Sequence, residues 1–231
     1  MADQRAERRL TAIFAGDIAG YSRLMGADEE GTLRRINELR RSFLDPKIAE
    51  HRGRIVKRTG DGILIEFASA VDAARCAVEM QRGMSERNAS VPPDDRIELR
   101  VGIHVGDILI EDGDIYGDGV NIAARLEGIA EPGGICMSDD AYRQVRGKLD
   151  VAFEDGGERE LKNIARPVRV HQLLLGGKSR SAPAALALPS KPSIAVLAFQ
   201  NMSGDSEQEY FADGIAEDVV TARCRARAGC S

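Results

Sequence analysis

The stretch Arg54-Ile55-Val56-Lys57-Arg58-Thr59-Gly60-Asp61-Gly62-Ile63-Leu64-Ile65-Glu66-Phe67 decides the architecture. Two runs rich in apolar and β-branched residues flank Gly60-Asp61-Gly62, and Asp-Gly between such runs predicts a hairpin. Upstream, Leu10 to Phe14 is a short apolar run leading into Gly16-Asp17, which reads as a buried strand. Between them, Asp28 to His51 carries Leu33, Ile36, Leu39, Phe43 and Leu44 at helical spacing, with Asp28 as the N-cap and Pro46 as a bend or an early end. Downstream, Ser69 to Arg87 returns to helical periodicity through Val71, Ala74, Val78 and Met80. Ile97 to Ile110 reads as strand in two pieces, broken near Gly106-Asp107. Asp118 to Ile129 reads as helix, Ile135 to Met137 as a short strand, Ser138 as the cap of a helix running to about Gly147, and Pro167 to Leu175 as the last strand. The order strand, helix, hairpin, helix, strand predicts an α+β fold, with an antiparallel sheet covered by helices on one face.

The composition suits a packed domain. Of 231 residues, 43% are apolar and 30% charged. Aromatics are scarce at 4% and Trp is absent, so the core has to be built from Ile, Val, Leu and Ala. A net charge of −5 argues against nucleic-acid binding driven by bulk charge, though not against a small anionic ligand at a locally positive site. Cys76, Cys136, Cys224 and Cys230 have neither CxxC spacing nor a nearby His, which weakens zinc and redox readings and leaves buried free thiols at Cys76 and Cys136. Free thiols, a charged N-terminus and the lack of a run of ~18 apolar residues lead to the expectation of a cytoplasmic protein without a membrane segment.

Residues 1–175 hold all of these elements. Residues 176–192 turn to Gly, Ser, Ala, Pro and Lys, a linker composition. Residues 193–231 begin like a new strand and helix and lose periodicity at about Arg223; so short a piece reads as the truncated start of a second domain.

Four short motifs carry polar residues that would be ordinary one at a time. Asp17 follows an apolar strand and Asp61 sits in the Asp-Gly turn, so both carboxylates reach one sheet end if the first strand pairs with the hairpin. Two such charges repel unless a cation lies between them. Lys57 precedes Asp61 by four residues, ~13 Å of extended backbone. Asp114 stands in Asp114-Ile115-Tyr116-Gly117. Asn121 and Arg125 are four apart on one helix and share a face. The Gly-rich entrance to that helix is a weak phosphate motif, and neither Walker A nor GxGxxG is present.

Taken together, these motifs resemble the catalytic domain of class III nucleotidyl cyclases, on the adenylyl cyclase side, from about Arg8 to Leu175. The resemblance implies a ferredoxin-like or palm-like sheet and a site built across a dimer interface. In it, Asp17 and Asp61, with the Ile18 carbonyl, would hold two divalent cations, Mg2+ or Mn2+. Lys57 and Asp114 would select the adenine of ATP, Asn121 would orient the ribose, and Arg125 would stabilise charge on the reacting phosphate. One chain carries both halves, so a homodimer would hold two complete sites. Three other readings compete. A diguanylate-type cyclase lacks support because no Gly-Gly-Asp/Glu-Glu-Phe turn occurs. A non-catalytic nucleotide-binding module is disfavoured by the full set of metal and transition-state residues, and a bare interaction scaffold is disfavoured on the same ground.

Overall fold

β1, Glu7–Ile18, is the strand on which the sheet is built. It pairs antiparallel with β3, Gly62–Phe67, on one side and β4, Leu99–Glu111, on the other, so both of its edges are used. The computed structural model of the chain describes residues 7–111 and 113–175. The expected linker over 176–192, the partial domain over 193–231, Cys224 and Cys230 lie outside them.

β2, Arg54–Thr59, forms the expected hairpin with β3, with a bulge between Ile55 and Lys57. Among the described residues the sheet has eight strands, ordered β2-β3-β1-β4-β6-β8-β7, with the short β5, Asp114–Tyr116, pairing the far end of β4. β6 is Ile135–Ser138, β7 Ala152–Arg159 and β8 Val168–Leu174. The pairing is antiparallel throughout except for β4–β6, which is parallel. A parallel pair needs a crossover, and α5, Asp118–Ile129, supplies it. The α+β class therefore holds while one pair departs from the antiparallel expectation. β4 is also continuous rather than split near Gly106, because β1 pairs with it in unbroken register from Ile18↔Leu99 to Glu7↔Ile110.

Most of the core lies on the sheet face covered by α2, α3, α4 and α6. α2, Glu29–Leu39, starts at Asp28, whose side chain accepts from the Gly31 amide at 2.9 Å. The preceding α1, Tyr21–Ala27, was not expected from sequence; seven residues are too few for a periodic signal. A π-helical turn over Arg40–Leu44 joins α2 to α3, Asp45–Glu50, where Pro46 sits in the first turn. From that π-turn Arg40 reaches the Gly60 carbonyl of the β2–β3 turn. α4, Ala70–Asn88, is capped by Ser69, which the sequence had not singled out as a cap, and α6, Asp139–Val145, by Ser138, as expected. Phe14, Ile65, Phe67, Ala74, Met80 and Ile103 are buried between these helices and the sheet.

α5 lies on the opposite face, so helices cover both sides. There a second cluster of Ile13, Ala15, Ile108, Ile115 and Ala123 forms. The approach is close: a Cβ on Gly102 of β4 would sit 2.2 Å from the Ala123 carbonyl and 2.3 Å from the Glu127 nitrogen. Only glycine lets α5 settle on β4 there.

Candidate active site

The β1–β3 ladder ends at Gly16↔Ile63, which leaves Asp17 one step beyond it and Asp61 in the turn beside it. Both carboxylates line one narrow cleft whose walls are Ile36, Leu39 and Leu44 from α2 and the π-turn and Leu99 and Val101 from β4. The expected convergence at one sheet end is what the strands produce. Ile18, the last residue of β1, is buried beside them.

Two neighbours in this cleft were not anticipated. Arg100 of β4 stands opposite Asp17 in register, and its Nε donates to Asp17 Oδ1 at 2.9 Å while Nη2 takes Oδ2. Glu127, near the end of α5, lies with Oε1 3.5 Å from Arg100 Nη2. That oxygen is buried and has no hydrogen-bond partner. Burial first, then the nearness and charge of Asp17 and the charge of Asp61, pushes the Glu127 carboxyl up to about 8, against the opposing pull of Arg100. Asp17 in turn raises the Arg100 guanidinium, chiefly through their hydrogen bond. Three carboxyl groups thus share one guanidinium. This excess of negative charge, with an orphaned oxygen, is a donor set suited to hard divalent cations. Signals for both residues exist in sequence: Arg100 interrupts an apolar run, and Glu127 falls four residues after the buried Ala123, on the same helix face.

Lys57 and Asp114 meet elsewhere. The bulge in β2 re-aims the strand, and Lys57 Nζ lies 3.3 Å from Asp114 Oδ2. Asp114 also accepts from the Ile115 amide at 2.8 Å; that bond first, and Lys57 after burial's opposing effect, hold its carboxyl below the usual range. Neither residue lines the Asp17–Asp61 cleft. Asn121 and Arg125 are exposed on α5, with Arg125 Nε donating to the Lys162 carbonyl at 3.2 Å.

Two features of the surface lie away from these residues. A cavity of about 690 Å³ beside α4, lined in part by Gln81, Arg96 and Leu175, contains none of them. The chemistry sits instead in a thin cleft and on open surface. Glu50, His51 and Glu79 form another cluster with metal-ligating atoms, but Lys47 Nζ already bridges its two carboxylates at 2.8 and 2.9 Å. Cys76 and Cys136 are buried free thiols as expected, each pushed up to about 12 chiefly by burial. No helix among the described residues is long and apolar enough to cross a membrane.

Known proteins resemble this chain in sequence and fold. The profile of the family described as the adenylate and guanylate cyclase catalytic domain matches residues 3–175. A Rhizobium meliloti protein whose name assigns it to the adenylate cyclases is 49% identical over 226 residues, 96% of this chain. The chain spans only 38% of that relative's length. A crystal structure described as an adenylate/guanylate cyclase/hydrolase from Silicibacter pomeroyi is 50% identical and superposes with a TM-score of 0.70, covering 74% of this chain and 99% of the other. The guanylyl cyclase Cya2, at 22% identity and a TM-score of 0.64 over 76% of this chain and 97% of its own, has the same fold, so fold by itself does not choose the base. By its profile match, its close relatives and its eight-stranded sheet, the chain belongs to the class III nucleotidyl cyclases.

Proposed function

We propose that this nucleotidyl cyclase is an adenylyl cyclase, converting ATP to 3′,5′-cyclic AMP and pyrophosphate as a homodimer in cytoplasmic signal transduction. The observation that carries the choice of base is the 3.3 Å contact between Lys57 Nζ and Asp114 Oδ2. It sets a donor-only group beside an acceptor-only group. Adenine offers an acceptor at N1 and a donor at N6, which complements the pair; guanine reverses both.

In the reaction the ribose 3′-oxygen attacks the α-phosphorus, the bond to the β-phosphate oxygen breaks, and pyrophosphate leaves with the electron pair. The 3′-hydroxyl proton passes to solvent. The nucleophile belongs to the substrate, so the protein's work is positioning and charge stabilisation. Asp17, Asp61 and the Ile18 carbonyl would hold two divalent cations, Mg2+ or Mn2+, which when bound lower the 3′-hydroxyl pKa and offset phosphate charge. Arg100 competes with the cations for the Asp17 carboxylate. Asn121 orients the ribose, and Arg125 presents a fixed fork of donors to the developing oxyanion.

The homodimer rests on exposure. Asn121 and Arg125 are exposed, and Tyr116, next to the base-reading pair, is 49% exposed. Small-ligand sites are enclosed, and one chain leaves these groups open. A second copy would bring its Asp17–Asp61 cleft to them. Residues 1–175 form the catalytic unit in this proposal, 176–192 a linker, and 193–231 the start of a further domain.

The test is direct. The purified chain is given ATP and GTP in equal amounts, with Mg2+ and with Mn2+. Cyclic AMP is expected as the dominant product; dominant cyclic GMP, or neither product, would overturn the proposal.

A further inference from the structure

Glu66 on β3 is only 5% exposed, yet it is a carboxylate. Two guanidiniums satisfy it: Arg9 from β1, and Arg54 from β2 with Nε at 2.9 Å and Nη2 at 2.7 Å. A buried carboxylate gripped twice is a firm anchor, because each pairing leaves the other charge costly to release. The third guanidinium nitrogen of Arg54 is engaged as well: Nη1 donates to the Gly113 carbonyl at 2.9 Å.

Gly113 lies in the β4–β5 turn at φ 81° and immediately precedes Asp114. β5 is not a sheet neighbour of β2; among the described residues it pairs only with β4. The turn instead folds across the sheet face, where Ile115 packs with Ile13 and Ala15 of β1, against which Val56 of β2 and Leu64 of β3 also pack. Among the described residues, the polar contacts joining β2 to this turn are two: Lys57 to Asp114, and Arg54 to Gly113. The first must open on one side to admit a base edge. The second has no such duty.

We infer that Arg54 is a specificity-positioning residue: anchored on Glu66, it holds the Gly113 carbonyl and so fixes Asp114 at the distance from Lys57 that reads a purine edge. This rests on the reading of Lys57 and Asp114 as the base-selecting pair. Arg54 touches no substrate in this scheme. It acts through the turn, and its planar fork is what lets one side chain serve a carboxylate and a carbonyl together.

The experiment uses the full chain and measures the cyclic AMP to cyclic GMP ratio from equimolar ATP and GTP, together with KM and kcat for ATP. Arg54→Gln and the milder Arg54→Lys are each expected to raise KM for ATP about tenfold and to lower the ratio by a similar factor, with kcat changed less, as fits loss of one charge-assisted hydrogen bond at a binding element. Arg9→Gln, which takes the other guanidinium from Glu66 without touching the turn, is expected to leave the ratio as in the wild type. In an Asp114→Ala background, Arg54→Lys is expected to cause no further change in ratio, since the group it positions is gone. A wild-type ratio in both Arg54 variants alongside a shifted ratio in Asp114→Ala overturns the inference alone. An equal shift from Arg9→Gln also overturns it, since the effect then belongs to Glu66 and not to the turn. An unchanged ratio in Asp114→Ala itself overturns the base-reading assignment and this inference with it.

Discussion

Asp17 and Arg100 face each other in register across the β1–β4 ladder, and the guanidinium grips the carboxylate at both oxygens. The carboxylate expected to bind metal is therefore already engaged by a side-chain cation. A divalent ion arriving alone competes with Arg100 for it. Arg100→Gln is expected to tighten binding of Mn2+ by the nucleotide-free protein, by roughly tenfold if about 1.4 kcal/mol of ion pairing is removed. Titration calorimetry without nucleotide reads this; unchanged or weaker Mn2+ binding in the variant would contradict it.

Both carboxylates of the cleft are expected to be indispensable. Asp17→Ala and Asp61→Ala should each lower turnover by at least about a hundredfold, the scale on which single charge-stabilising groups act. Thermal stability should change little, since each change also removes one of several crowded carboxyl groups. Near wild-type turnover at saturating Mn2+ in either variant would remove that residue from the metal site.

A site shared between chains predicts complementation. Asp17→Ala and Arg125→Ala, each inactive alone, damage opposite halves. Mixed in equal amounts and allowed to exchange, half of the dimers are mixed and one of their two sites is intact, so about a quarter of wild-type activity should return. A dead mixture in which mass spectrometry detects heterodimers would place each site within one chain.

The base pair makes its own prediction. Lys57→Glu should cut ATP turnover by about tenfold or more, because an acceptor then faces the adenine N1 acceptor and the unpaired contact costs ~1–3 kcal/mol. Asp114 would still repel the guanine O6, so this variant alone is not expected to prefer GTP. Lys57→Glu with Asp114→Cys should raise the cyclic GMP share. A folded, dimeric double variant with the wild-type product ratio would show that these residues do not read the base.

Glu127 gives the metal-free protein a pH dependence of definite sign. The unfolded chain loses this proton near pH 4.5, whereas the folded chain keeps it to about 8. Between those values the folded state binds the extra proton, so stability falls as pH rises through the window. Glu127→Gln should flatten that slope. With solvent screening allowed for, the difference is on the order of 1 kcal/mol, or about 2–4 °C in Tm. Melting curves in chelator from pH 5 to 8 test it; parallel slopes for wild type and variant would mean that the carboxyl is ionised throughout.

Local chemistry was legible in the sequence, and register-dependent chemistry was not. The β2–β3 hairpin, the Asp28 and Ser138 caps and the extent of α5 each follow from residues adjacent in the chain, and each was anticipated. The parallel β4–β6 pair, the β2 bulge and the continuity of β4 are set by strands distant in sequence. The same division runs through the site. The motifs marked Asp17, Asp61, Lys57 and Asp114, and the structure brings them together in two pairs. Arg100 enters the cleft only because β1 happens to align Asp17 with it, and Glu127 only because Gly102 lets α5 sit close. Each leaves a trace in the sequence, Arg100 as a charge in an apolar run and Glu127 on the Ala123 face of α5, but neither trace specifies the contact.

The π-helical turn at Arg40–Leu44 has a consequence for protein engineering. It is a one-residue irregularity in a helix that forms a wall of the Asp17–Asp61 cleft, and Arg40 on it holds the turn that carries Asp61. π-turns are costly relative to ideal helix and collect at functional positions. The turn absorbs one extra residue, so α2 and α3 stay in phase across it and a single deletion between 41 and 44 would leave α3 facing the hairpin, with Asp45 still beside Arg58. What such a deletion removes is the widened turn from which Arg40 reaches the Gly60 carbonyl. A variant made more heat-resistant by that route gives up one tie on the turn that carries Asp61, so melting temperature alone is a poor guide in engineering this helix.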